Sequence, residues 1–314
     1  MTEQPATLLL LGGAGLPHWV WDEVRARTAD VVLTTAPTLP RAAGTSLVEM
    51  AEAAAEAAGP GPIAVVAHSS GGCVAAELVA RHPERVTAFL GLSAVIPGPG
   101  RSFVQAMPYP ARFLLGLAVR AGKTRPPERA IRSGLASGLA PVTADRLIAD
   151  FEPEPRGLFT DPCSARTWPT TRSYLLTTAD RELAPSQQRT YARRLDADTE
   201  LLNTGHLPML EDPDAVTAAI HPLLNQTPPN SPSPVLDSNA GKNGQGSASI
   251  CLKAPLPTCV IAPGADAGAR VSEGGRKDRV QSLSGEPTTS KRKPPISPER
   301  RGRASWMAAR TLSS

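Results

Sequence analysis

Aromatic residues are scarce in this 314-residue chain and unevenly spread: there are twelve, and after Leu224 only Trp306 is left. A ninety-residue stretch with one aromatic and many Pro, Ser and Gly buries too little apolar surface to offset the entropy lost on ordering its backbone. Residues 225–314 are therefore read as a disordered tail, and 1–224 as one folded domain. Charge divides at the same place. Lys and Arg number 20 against 23 Asp and Glu in 1–224, and 13 against 6 beyond, so the formal excess of +4 arises from the tail. The near-neutral domain offers no basic face for nucleic acid. The tail's clusters, Lys291-Arg292-Lys293 and Arg300, Arg301 and Arg303, read as a solvated extension, with an anionic surface or nucleic acid as the alternative.

Cysteine is also sparse. Cys73, Cys163, Cys251 and Cys259 show no C-x-x-C spacing and have no His cluster nearby, so neither a zinc site nor a disulfide framework is expected. Long apolar runs are missing as well: the leucine run 8–11 is too short for an export signal or a membrane span, and the residues before it carry no positive charge. The expected location is the cytoplasm, with no membrane partner and no metal. Oligomeric state is not legible.

What the domain does contain is alternation. Short apolar runs at 7–11, 31–34, 63–67, 88–92, 173–177 and 200–202 are separated by helical patterns, which predicts a doubly wound, mostly parallel α/β sheet with helices on both faces. Ser46 and Glu49 form a capping box ahead of an Ala/Glu-rich helix ending near Ala58. Helices are also predicted over Gly71–Arg81, after Pro185, and over Pro213–Leu224 with Asp212 as N-cap. Residues 95–171 break the alternation, with many prolines and helical patches but no strand, and are read as a helical lid inserted over the sheet.

The chemistry concentrates in Val65-Val66-Ala67-His68-Ser69-Ser70-Gly71-Gly72. A buried strand runs straight into a helix, and small residues at Ala67 and Gly71 permit a sharp turn with Ser69 at its apex. The amide of Ser70, at the positive end of that helix, is one candidate donor to an oxyanion. A Gly/Ser-rich turn in any doubly wound fold is the plain alternative.

A serine hydroxyl needs a base, and the base a carboxylate to orient it. Of five histidines, His68 adjoins the serine, His82 ends a helix beside Pro83, His221 lies in the last helix and His18 precedes the serine in the chain. His206 stands in a Gly-containing loop after the last apolar run, where catalytic loops gather in open α/β sheets, and is the candidate base. Asp180, after the run 173–177, is the candidate acid, with Glu182 held in reserve. The loop Gly12-Gly13-Ala14-Gly15 offers a second oxyanion donor at Ala14. It lacks the G-x-G-x-x-G spacing of a dinucleotide site.

The order Ser69, Asp180, His206 on a parallel sheet resembles the α/β-hydrolase superfamily over roughly residues 7–224. Within it, Gly12–Gly15 looks like the oxyanion loop of small esterases and methylesterases, and Trp19 and Trp21 resemble the aromatics that follow it. Gly13 of this loop, His18 from its place after the first strand, and Trp21 are the candidate substrate-binding residues. Two positions depart from the pattern: Ala67 stands for the usual elbow glycine, and Gly12 for the loop histidine. The implied activity is hydrolysis of a small carboxylic ester, or a related lactone, amide or thioester, through an acyl-enzyme and without any cofactor. A lyase or acyltransferase, and a non-catalytic small-ligand-binding protein of the same fold, are the alternatives.

Overall fold

The computed structural model describes residues 5–225. The expectation of a disordered tail falls, Asn225 apart, outside these residues. Six strands, β1 (Thr7–Leu11), β2 (Leu33–Thr35), β3 (Ile63–His68), β4 (Val86–Leu92), β5 (Thr171–Thr177) and β6 (Asp198–Leu202), form one parallel sheet in the order β2-β1-β3-β4-β5-β6.

Strand periodicity explains why helices cover both faces. Successive side chains of a strand point to opposite sides, so Leu9, Leu11, Val65 and Phe89 enter one core, while Leu8, Leu10, Val66 and Leu90 enter another. The first core is closed by α2 (Leu47–Ala57), α3 (Gly71–Arg81) and α9 (Pro185–Leu195). The second is closed by α1 (Asp22–Thr28) and α11 (Pro213–Leu224). Burial on both sides is what made the central strands near-continuous apolar runs.

The local start signals act as their chemistry dictates. Ser46 and Glu49 form the reciprocal capping box of α2, and the Asp212 carboxylate accepts from the Ala215 amide at the start of α11. One boundary moves. The amides of Val31 and Val32 bond back to the Thr28 carbonyl, so these valines finish the turn after α1 and β2 begins only at Leu33.

The segment between β4 and β5 holds five helices and no strand: α4 (Phe103–Ala106), α5 (Ala111–Arg120), α6 (Glu128–Ser133), α7 (Pro141–Asp150) and α8 (Arg156–Thr160). A short α10 (Pro208–Glu211) follows β6. Among the described residues, no helix is long and apolar enough to cross a membrane, and no group of His, Cys, Asp or Glu is arranged to hold a metal ion.

The chain leaves β1 for β2 on one side and returns to β3 on the other, so the strand order reverses between β1 and β3. A crevice opens at the carboxyl ends of strands flanking such a reversal. The loop Gly12–Gly15 and Ser69 lie there.

Candidate active site

Ser69 joins β3 to α3 with φ of +51°, a left-handed conformation that non-glycine residues adopt sparingly and that Ser93 and Asp196 share in this chain. Backbone hydrogen bonds hold it there. Its carbonyl accepts from the Gly72 amide at 3.1 Å and the Val95 amide at 2.9 Å, and its own amide donates to Leu92 at 3.4 Å. The helix can start this close to the sheet because residues 71 and 72 lack a Cβ. A methyl on Gly71 would lie 2.6 Å from the Gly12 carbonyl oxygen, and one on Gly72 would overlap the Val95 carbonyl. The steric demand thus falls on Gly71 and Gly72, whereas Ala67 is a buried core residue.

Asp180 sits in the turn after β5. Its Oδ1 accepts the amides of Glu182 and Leu183, both at 2.8 Å; its Oδ2 accepts the Thr177 hydroxyl at 2.9 Å, the Gln188 amide group at 3.1 Å and His206 Nδ1 at 2.7 Å. Burial works to raise this carboxyl, but the His206 ring and the two backbone amides outweigh it and hold it below the ordinary aspartate value. Thr177 and Gln188, which sequence reasoning missed, anchor the acid; the signal available was a polar pair at the end of a buried strand and in the next helix.

His206 is 1% exposed. Burial disfavours its charged form, yet the Asp180 charge and hydrogen bond, with Glu182 and Glu211 farther off, raise it above the ordinary histidine value. With Nδ1 committed to Asp180, the proton-accepting position is Nε2, which has no hydrogen-bond partner. The loop is pinned by Glu211 of α10, whose carboxylate accepts the Gly205 amide at 2.8 Å. Glu182 does not replace Asp180: its carboxyl lies against Gly134 and faces the cavity, and burial raises it.

The other histidines separate cleanly. His68 donates from Nε2 to the His206 carbonyl at 2.7 Å, because that oxygen can only accept, and its ring stands 4.8 Å from that of His206. Burial and the neighbouring His206 push His68 down to about 3, so it stays neutral. His82 pairs with Glu52 at 3.1 Å, and His221 is exposed on α11.

Ser69, His206, Ser70, Ala14 and Gly13 line one cavity of about 160 Å³. Among the described residues, neither the Ala14 nor the Ser70 amide has a backbone acceptor. Most of the cavity's other walls come from the helical insertion, including Phe103, Leu115, Val119, Ile131, Phe151 and Phe159, with Leu16, Arg181 and Glu182 among the rest. The same insertion braces the Gly12–Gly15 loop: Glu154 accepts the Gly15 amide at 2.9 Å, and the Phe151 ring occupies the space a side chain at Gly15 would need.

His18 and Trp21 are placed elsewhere, and their assignment to the pocket with Ser69 is corrected here. His18–Trp21 form a tight 3-10 turn; Trp21 packs in the core with residues of α1 and α11, and both residues line a second cavity. Gly13 lines both cavities.

A parallel sheet with a left-handed serine turn beside the reversal of strand order, and a buried His–Asp pair whose histidine shares the serine's cavity, defines the α/β-hydrolase class of fold. Residues 8–219 match the model of the Alpha/beta hydrolase family, and the chain belongs to that family. Solved structures agree on the fold. An extracellular alpha/beta-hydrolase from a Paenibacillus species is 16% identical with a TM-score of 0.58, over 71% of this chain and 100% of that one. A pyrethroid hydrolase from Sphingobium faniae is 20% identical with a TM-score of 0.55, over 68% and 95%. A thermophilic esterase from Thermogutta terrifontis is 18% identical with a TM-score of 0.54, over 70% and 89%. A comparison with curated proteins found no match.

Proposed function

We propose that the protein is a serine hydrolase of small carboxylic esters, with Ser69 as nucleophile, His206 as base and Asp180 as the orienting acid. The observation that carries this reading is a buried His206 bonded to Asp180 through Nδ1, its Nε2 unpartnered, in the same cavity as a serine held at φ of +51°. The hydrolase and esterase activities named for the structural neighbours support it.

In this mechanism the Ser69 Oγ attacks the carbonyl carbon while its proton passes to His206 Nε2. The Asp180 charge stabilises the imidazolium, and the Ser70 and Ala14 amides receive the oxyanion. His206 then protonates the leaving alcohol oxygen, giving an acyl-Ser69. Water, deprotonated by His206, releases the acid and restores the serine. The five-helix insertion acts as the lid, and its apolar side chains in a cavity of about 160 Å³ fit a short acyl group, with Lys123, Arg181 and Glu182 also in the lining.

The test is labelling by a fluorophosphonate together with turnover of esters of graded acyl length. The parent protein labels and hydrolyses short activated esters; Ser69→Ala does neither. Equal labelling of the two proteins removes Ser69 as nucleophile. Product analysis with a competing alcohol separates hydrolysis from acyl transfer.

A further inference from the structure

The second cavity is the larger of the two, about 430 Å³, and neither Ser69 nor His206 lines it. It opens between the Gly12–Gly15 loop, the segment after β2 and the end of α7, with Leu10, Leu16, Met50 and Val74 among its apolar walls. This volume is in the range of small-molecule sites, which combine apolar walls with a few free polar groups.

Its charged groups are already satisfied. Arg41 pairs with Glu152 and with Glu154 at 3.2 Å and donates to the Leu16 carbonyl, while Asp150 accepts from Trp19 Nε1 at 2.9 Å. Two lining side chains are not satisfied: Trp21 Nε1 and Ser70 Oγ have no partner, although each residue is 1% exposed. An unpaired buried donor costs free energy that a ligand or water recovers. Indole N–H only donates, so the missing partner is an acceptor. Three carboxylates against one arginine in the lining disfavour an anion.

We propose that this cavity is a second ligand site, taking a compact, uncharged, mostly apolar molecule whose carbonyl or hydroxyl oxygen accepts from Trp21 Nε1 and faces the Ser70 hydroxyl. The site does not depend on the hydrolytic reading, because neither Ser69 nor His206 lines it and it shares with that cavity only Gly13, Leu16 and Ser70.

The experiment is fluorine NMR of full-length protein labelled with 5-fluorotryptophan, which has four tryptophans; Trp21 is assigned through Trp21→Phe. The probe is acetophenone, a neutral ketone with one acceptor and no hydrolysable bond, and benzoate is the anionic counterpart. The Trp21 resonance is expected to move saturably with acetophenone, in the parent and in Ser69→Ala alike, and to be insensitive to benzoate. Ala36→Phe, which fills the cavity from the partly exposed segment after β2, is expected to abolish the shift while circular dichroism remains that of the parent. A Trp21 resonance unmoved by millimolar acetophenone, one that benzoate moves equally, or a shift that survives in Ala36→Phe overturns the proposal.

Discussion

At the residue scale, the pairing of Asp180 with His206 is over-determined: one carboxylate accepts five hydrogen bonds, and four of them come from groups other than the histidine. The acid is therefore held whether or not the imidazole is charged. In Asp180→Asn the side-chain oxygen and amide must divide among those donors, and an amide turned toward His206 favours the wrong tautomer. We expect kcat to fall by about four orders of magnitude with KM little changed, as for the same exchange in other Ser-His-Asp sites. Steady-state kinetics on a short activated ester checks this; a fall of only a few-fold assigns Asp180 to structure alone. The residue-level facts that sequence could not reach are of this kind. In sequence Asp180 is the candidate and Glu182, two positions on, the reserve, and only the fold turns one toward His206 and the other toward Gly134.

At the element scale, the junction of β3 and α3 depends on bare backbone. The helix packs against the carbonyls of Leu11 and Gly12 with no space for a methyl group. Those carbonyls belong to a central strand and its loop, which cannot retreat without breaking the pairing of β1 with β3. Gly71→Ala is expected to cost about 1–3 kcal/mol through overpacking, lowering Tm by about 2–12 °C for a domain of this size. Scanning calorimetry measures it, and an unchanged Tm contradicts the close packing. The insertion shows the opposite case. Its helices were legible as patches, but their paths were not, because short amphipathic helices between prolines take their direction from whatever they pack on. That path puts Phe151 and Glu154 onto the Gly12–Gly15 loop.

At the scale of the whole molecule, stability inherits the pH dependence of its buried ionisable groups. His68 is held neutral when folded, down to about 3, and titrates near 6.5 when unfolded. Between those limits the unfolded chain binds the extra proton. The contribution of His68 is therefore present above pH 6.5 and lost as pH falls toward 3, with a limiting slope of about 1.4 kcal/mol per unit. Asp180, lowered in the fold, adds a loss in the same direction within the lower carboxylate range. His206, raised in the fold, works the other way: its contribution is complete below 6.5 and disappears as pH rises through its folded value. Urea unfolding at pH 7, 5.5 and 4.5 is expected to show stability falling with pH, and less steeply in His68→Gln. Because His206, Glu154 and Glu182, all raised in the fold, work against this loss, the difference between the two proteins is the readout, and profiles of equal slope in the parent and His68→Gln contradict a buried neutral His68.

Sequence alone determined what is local or periodic. Runs of branched and leucine side chains made strands buried on two faces, the Ser46/Glu49 pair and Asp212 set helix starts, and an octet ending in two glycines marked the turn at Ser69. Each depends on neighbours within a few positions, so the pattern carries the physics. The tertiary structure alone decided which distant groups meet. It brought Asp180 to His206 and set His206 in one cavity with Ser69, it separated His18 and Trp21 from that cavity, and it left Trp21 Nε1 unpaired beside a larger one. Those outcomes follow from how sheet, helices and insertion share one interior, where every contact joins residues whose separation along the chain carries no signal.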